Sequence, residues 1–449
     1  WRDECASFSR LLYKNLGMRF SKEFLYTSGI TALLAISILF LDASKYDTAD
    51  RIWLSLLIGF SILFIPFLIN RKAFIFNTSA SLMLGGFAAL VWISYAFSQT
   101  KNFGFSEAVI YTFIALIGLS LTTLEEKSRK NLLAIILIIA VISSLYGFWY
   151  FPFHGETRLA GLFLNFQNYR NFFPNAFANF LLLSWPLVFI IAPDKTRLKV
   201  VILAILSAAL YLTFSRGAWL IFAIQLIGLT IYFRKTLKIF TLRGGATIIL
   251  TILIITGLLN FRAQNFKNIT LNEKLTFKNS ESSTSIKERI DFWLGATRLS
   301  LDRPLTGHGP MSFRYVYPPL QKTSLAISDH PHNWLLKIAS ENGIPAVILF
   351  TAFLILLLYI VIKKSAHNPK TFLLGLALFG GAFHNMIDYN LNFLTTILAF
   401  FIIAGAILAE HKPAEKKTKI LNIPAVIIWL ILIIMVPILS FVAGSSKIF

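Results

Sequence analysis

The run Ser328–Asp329–His330–Pro331–His332–Asn333–Trp334–Leu335 continues through Glu341–Asn342–Gly343–Ile344–Pro345 and places a histidine where a long polar segment gives way to an apolar one. Histidine titrates near neutral pH and can take a proton from a hydroxyl. His332 stands beside Asn333 and ahead of a short amphipathic helix, at what reads as a water–membrane boundary. The competing structural reading is a histidine that snorkels at the interface or caps the helix behind it. With His330, Asn333 and Glu341 around it and several arginines returning to the same side, His332 reads as a general base. Pro331 turns His330 elsewhere.

Arg216 lies between two long apolar runs, in Ser215–Arg216–Gly217–Ala218. An ionisable group at membrane depth is costly and marks a functional candidate, against the alternative of an arginine snorkelling at a helix end. Guanidinium keeps its charge and binds phosphate bidentately, so an arginine here suits a lipid-linked phosphate or diphosphate. Gly217 lets a ligand approach the backbone closely. Arg158, in His154–Gly155–Glu156–Thr157–Arg158, reads equally as a substrate contact or as a charge neutralised by Glu156. Of Arg289, Arg298, Arg303 and Arg314, Arg289 is best placed, at the start of an expected helix. His384, Asn385 and Asp388 end one apolar run, and Asn390 and Asn392 begin the next. So polar a cluster in so apolar a setting faces a cavity or the bundle interior. It reads as structural support with some substrate contact.

Some chemistries are disfavoured. The sequence has no P-loop and no HExxH spacing, and no acidic pair on an outer loop to hold a divalent metal. No carboxylate pair suits two-acid glycoside hydrolysis. Neither a metal nor a cofactor is expected.

The elements that must position these residues are membrane helices. Hydrophobic residues make up 56% of the 449, with 43 Phe and a mean hydropathy of +0.69. Many runs reach the roughly 20 residues that cross a bilayer. Spans are expected near 24–41, 52–69, 78–98, 107–124, 131–151, 172–193, 198–214, 217–233, 245–260, 343–362, 371–389, 393–410 and 420–443. The fold class is therefore an all-α polytopic membrane protein of about 12–13 transmembrane helices. With the N-terminus cytoplasmic, the inner loops collect nineteen Lys and Arg and the short outer loops six, a strong positive-inside bias. Fusing the spans on either side of Arg216 would invert every later loop.

The formal charge of +21 is then an orientation signal and a contact with lipid headgroups, not a nucleic-acid footprint. Cys5 is the lone cysteine, which excludes a disulfide within the chain and a cysteine-based metal cluster. No cleavable signal peptide follows the first apolar run, and Met18 reads as a natural start, with residues 1–17 an upstream extension. The chain divides into an N-terminal extension (1–23), a first set of spans (24–259), a large outer loop (260–332) and the C-terminal spans (333–449). The loop opens polar over Asn265 to Ser280. Ser285–Ile286–Lys287–Glu288 is a capping pattern, and Ile290, Trp293, Leu294, Thr297 and Leu301 follow at helical spacing. Asp302–Arg303–Pro304 stops that helix and Gly307–His308–Gly309–Pro310 makes a tight turn. A small helical cap over the outer face is expected.

His332–Asn333–x–x–Leu336 with Glu341–x–Gly343 resembles the signature of the bacterial O-antigen ligase and polymerase superfamily. The Ser215–Arg216–Gly217–Ala218 junction, the Asp302–Arg303–Pro304–Leu305–x–Gly307–x–Gly309 turn and His384–x–x–x–Asp388 are similar to family features, in the family's order. The resemblance runs from about Arg158 to Leu408. The stretch Asn165–Phe166–Gln167–Asn168 through Asn171 is longer than usual for the family.

The resemblance implies a metal-independent membrane glycosyltransferase of the C type, in the bacterial inner membrane with its site on the periplasmic side. Its donor would be a glycan on undecaprenyl diphosphate and its acceptor a hydroxyl of lipid A–core, of a growing glycan or of a protein. Arg216, with Arg158, would hold the diphosphate, and His332 would deprotonate the acceptor for an inverting attack. Arg289, Asn333, His384 and Asp388 would contact substrate. Ligation to lipid A–core is the preferred reading, with O-antigen polymerase and protein O-oligosaccharyltransferase as siblings. A transporter or flippase of lipid-linked anionic glycans is the rival from another class. It would make His332 a gating residue and would place charged or helix-breaking groups near the midplane, in paired repeats.

Overall fold

The structure is a computed structural model. It describes residues 22–39, 78–98, 100–164, 172–234, 240–266, 280–322 and 328–411. The helices are α1 (Lys22–Leu39), α2 (Thr78–Phe97), α3 (Lys101–Ser120), α4 (Glu126–Tyr150), α5 (Pro174–Ser184), α6 (Leu187–Ile191), α7 (Thr196–Leu212) and α8 (Arg216–Tyr232). They continue as α9 (Phe240–Ala263), α10 (Ser280–Asp302), α11 (Phe313–Val316), α12 (Trp334–Asn342), α13 (Ile344–Ser365), α14 (Pro369–His384) and α15 (Leu394–Ala409). No strand is formed among the described residues, and the chain is an all-α multi-pass membrane protein. Among the described residues, six stretches are long and apolar enough to cross a bilayer: 79–97, 104–123, 126–153, 174–191, 243–263 and 344–365.

The expected spans fall on helices with one internal difference. The run 172–193 is broken at Trp185–Pro186, between α5 and α6, because Pro186 has no N–H to continue the ladder. The expected spans 52–69 and 420–443 lie outside the described residues, as do residues 1–17, Cys5, the Asn165–Asn168 stretch and most of the polar opening of the loop.

Every residue of α15 from Leu394 to Leu408 is buried. A helix apolar on all sides belongs at the centre of a bundle, and α3, α5, α13 and α14 surround it. It crosses α3 closely, where a Cβ added at Gly405 would stand 2.4 Å from the carbonyl oxygen of Gly118. At the periphery, α9 packs along α7, and none of its apolar window is buried within the protein, so it faces lipid. Pro345 and Pro369 stand in the first turns of α13 and α14, where a missing N–H costs nothing.

The helix of the large loop, α10, begins at Ser280, five residues before the capping pattern, and ends at Asp302. Its buried face differs from the one its periodicity predicts. Ile290, Leu294 and Leu301 are exposed, whereas Phe292, Ala296 and Leu299 form a small core with Phe313 and Tyr317. The reason is local. Tyr317 packs its ring against Gly295, where a Cβ would lie 2.5 Å from Cε2, and small residues at 295 and 296 bring α10 close to its neighbours.

Candidate active site

The turn after α14 supplies the hub, Asp388, which is buried. Its Oδ1 accepts from Nδ1 of His332 at 3.2 Å and from the Tyr389 amide at 2.9 Å. Its Oδ2 accepts from the Asn175 side chain at 2.7 Å and faces the Arg289 guanidinium at 3.9 Å. Burial alone would raise this carboxyl. The hydrogen bond and charge of His332, joined by Arg289, outweigh it and hold Asp388 below the usual carboxylate range. An ionised Asp388 fixes the His332 proton on Nδ1 and leaves the lone pair on Nε2.

His332 is held with φ +51, a left-handed conformation that non-glycine residues seldom adopt and that concentrates at functional sites. Its ring stacks on Phe292 at 5.5 Å and meets Tyr389 edge-on at 4.7 Å. The indole N–H of Trp293 donates to its carbonyl at 3.4 Å. Three groups from two segments, Phe292 of α10 and Asp388 and Tyr389 of the turn after α14, thus fix the side chain. Asn333 begins α12: its Oδ1 caps the Leu336 amide at 3.1 Å and its Nδ2 donates to the Met386 carbonyl at 3.0 Å. This ties the His332 segment to the turn that carries Asp388.

Three arginines lie around the hub: Arg289 faces it directly, Arg158 reaches it through Asn175, and Arg216 lies near Arg289. Arg158 donates from Nε to the Thr213 carbonyl at 2.8 Å and from its guanidinium to Oδ1 of Asn175, so Asn175 bridges Arg158 and Asp388. Arg216 opens α8 three residues beyond Thr213, near enough to Arg289 for the two charges to repel. His384 stands behind that junction. Its Nδ1 accepts from Asn179 and Asn390, each at 3.1 Å, and Nε2 lies 3.5 Å from Oγ of Ser215. Two amide donors on Nδ1 place the His384 proton on Nε2. His384 therefore buttresses the start of α8 from inside the bundle. Gly217 is needed beside it, since a Cβ there would stand 3.3 Å from the His384 ring and 2.6 Å from Ile387.

Arg158, Arg216, Arg289, His332, His384 and Asp388 are thus gathered at one end of the bundle, while Arg298 is exposed and Arg314 faces Asp329 at 3.6 Å. No three His, Cys, Asp or Glu side chains converge as a metal site among the described residues.

Five participants escaped sequence reasoning. Asn175 and Asn179 in α5 carry the bridges to Asp388 and His384. Arg262, at the end of α9, donates to the carbonyls of Gly155 and Glu156 at 3.2 and 2.8 Å and holds the loop that carries Arg158. Glu107 of α3 joins Lys337 and Glu341 of α12 in a fully buried ion triad. The triad explains the glycine turn. The Met311 amide donates to Glu107 at 2.8 Å and the Phe313 amide to Glu341 at 3.2 Å. The Gly309 amide donates to the Glu341 carbonyl at 2.8 Å. At Gly307, φ is +64 and a Cβ would lie 2.4 Å from the Glu341 carbonyl, so only glycine lets the turn lie against α12.

The stretch holding α8, α10 and α12 carries a likeness to a known family. Residues 201–351 match the family described as O-antigen ligase. The match supports the O-antigen ligase superfamily for this chain and takes in Arg216, Arg289 and His332, while Arg158, His384 and Asp388 lie outside it. No curated protein matches the chain.

Proposed function

We propose that the site transfers a glycan from undecaprenyl diphosphate to an acceptor hydroxyl, with ligation to lipid A–core as the first reading. The observation that carries it is the pairing of His332 with Asp388 inside a ring of arginines. Nε2 of His332 takes the acceptor proton as the acceptor oxygen attacks the anomeric carbon. The bond from that carbon to the diphosphate oxygen breaks in line, with inversion. Undecaprenyl diphosphate leaves with the bonding electrons, and its growing charge is met by Arg216, Arg289 and Arg158. A cluster of guanidinium groups supplies the charge that a divalent ion would otherwise bring. His384, Asn333 and Asn175 act as positioning residues.

The positive-inside bias supports a periplasmic site in the bacterial inner membrane. Transport of the same lipid is the weaker reading, because the polar groups gather at one end of the bundle and not at the midplane.

The test is complementation of a ligase-deficient bacterium with wild type, His332→Ala and Arg216→Ala at matched expression, read by the lipopolysaccharide ladder. A ladder restored by wild type and lost in both variants supports ligation. A ladder restored by His332→Ala removes His332 as the base. If wild type restores no ladder, ligation to that core is excluded, and polymerase and protein-glycosylation hosts decide between the sibling acceptors.

A further inference from the structure

A cavity of about 650 Å³ opens between α7, α8 and α9, beside the break at Trp185. Its body is apolar, with Phe189, Leu203, Phe222 and Ile252 among its walls, and among the described residues its charged lining is Lys199 and Arg243. The space is a consequence of sequence. Gly244 and Gly245 line it on α9, and a Cβ at either would meet nothing within 4 Å. The α9 wall is the lipid-facing one.

The cations stand at the end of the bundle away from His332. Lys199 lies in the first turn of α7, whose far end leads to Ser215 and Arg216. Arg243 precedes Arg262 by 19 residues of α9, about 28 Å at the helical rise, and Arg262 holds the loop of the His332 site. That separation is close to one hydrocarbon thickness, roughly 30 Å. The Lys199 ammonium donates to the Pro193 carbonyl at 2.5 Å, which holds it at the rim and leaves two of its three protons for a ligand.

From this geometry we infer a structural lipid site: the cavity takes an acyl chain of an anionic glycerophospholipid from the leaflet opposite the His332 site, and Lys199 and Arg243 bind its phosphate. The size falls within the roughly 300–1,000 Å³ of ligand sites. An apolar chamber whose described charged lining is two cations matches a lipid with an apolar tail and a net negative head. A polyprenyl donor would instead approach from the arginines at the other end. The site is independent of the reaction assigned to His332.

The full chain, purified in detergent and offered phosphatidylglycerol or phosphatidylcholine, can be followed by native mass spectrometry of the retained lipid. Wild type is expected to hold one phosphatidylglycerol in preference to phosphatidylcholine. The Lys199→Ala/Arg243→Ala variant should bind it about 30-fold more weakly, from two lost basic contacts near the headgroup plane. Lys199→Arg/Arg243→Lys should retain it, which separates charge from misfolding. Ser207→Trp, which fills the cavity and keeps both cations, should lose it. The inference is overturned if the alanine variant or Ser207→Trp holds phosphatidylglycerol as wild type does. It is equally overturned if wild type holds both lipids alike, or if a polyprenyl lipid displaces phosphatidylglycerol from it.

Discussion

Nδ1 of His332 and Oδ1 of Asp388 meet at 3.2 Å across 56 residues of chain. His332 precedes α12 and Asp388 follows α14, so two pieces of the bundle must dock before the pair exists. Asn333 secures that docking through the Met386 carbonyl. The pair has the logic of a catalytic histidine oriented by a buried carboxylate, in which the acid sets the tautomer and steadies the imidazolium.

Asp388→Asn tests that logic. The amide keeps the shape of the side chain but not its charge, and it can present a donor to Nδ1. Transfer should fall by about 100-fold or more with little change in donor binding. In vitro transfer with separately measured donor affinity reads both. Loss of donor binding with an unchanged rate at saturation would assign Asp388 to the substrate instead.

Arg289 faces Asp388 and crowds Arg216, an arrangement that an anionic ligand would relieve. Arg289→Lys keeps the charge but loses the planar fork, and should reduce kcat/KM by roughly 10²-fold, the scale of one lost transition-state donor. Wild-type kinetics in this variant would remove Arg289 from the site.

The triad of Glu107, Lys337 and Glu341 is a strut between α3, the glycine turn and the helix behind His332. Lys337→Met leaves two buried carboxylates without their cation and should destabilise the protein by about 3–5 kcal/mol. Lys337→Met/Glu107→Gln/Glu341→Gln should recover much of that. Thermal unfolding in detergent measures both variants. A single variant as stable as wild type would mean that the triad adds nothing.

The same triad predicts a pH dependence. Burial raises the Glu341 carboxyl, Lys337 pulls it back and Glu107 raises it again, leaving it at about 7 against an ordinary 4.5. A group raised on folding contributes stability that is complete below its unfolded value and lost as pH rises through its folded one. Wild-type stability should therefore fall between pH 4.5 and about 7, and Glu341→Gln should flatten that slope. Asp388 works in the opposite sense: lowered on folding, it stays ionised through this window and its contribution fades only in strong acid. A slope that persists in Glu341→Gln would point to another group.

The membrane helices were legible because an apolar run long enough to cross a bilayer has few alternatives. That His332 and Arg216 would lie beside the apolar runs was legible because polar and charged groups there are expensive to place. Asn175 was not, since asparagines at helix starts are common and its partner Asp388 lies 213 residues away. Lys337 drew no notice, since a lysine on a short helix is ordinarily solvated, and only the fold brings Glu107 to it across 230 residues. The buried face of α10 was misjudged because the large apolar residues Ile290, Leu294 and Leu301 point outward, while Gly295 and Ala296 make the close contact. Periodicity weighs size and hydrophobicity, whereas close packing here selects small residues.

The proton transfer to His332 is tested most directly by the rate of glycan transfer at saturating donor, for purified wild type and His332→Ala, across neutral pH. The expected result is a loss of about 10²–10⁴-fold, the usual contribution of general-base catalysis, with donor affinity retained. The variant's residual rate should climb with hydroxide concentration as the missing base is replaced. A His332→Ala enzyme that turns over near the wild-type rate would contradict the account.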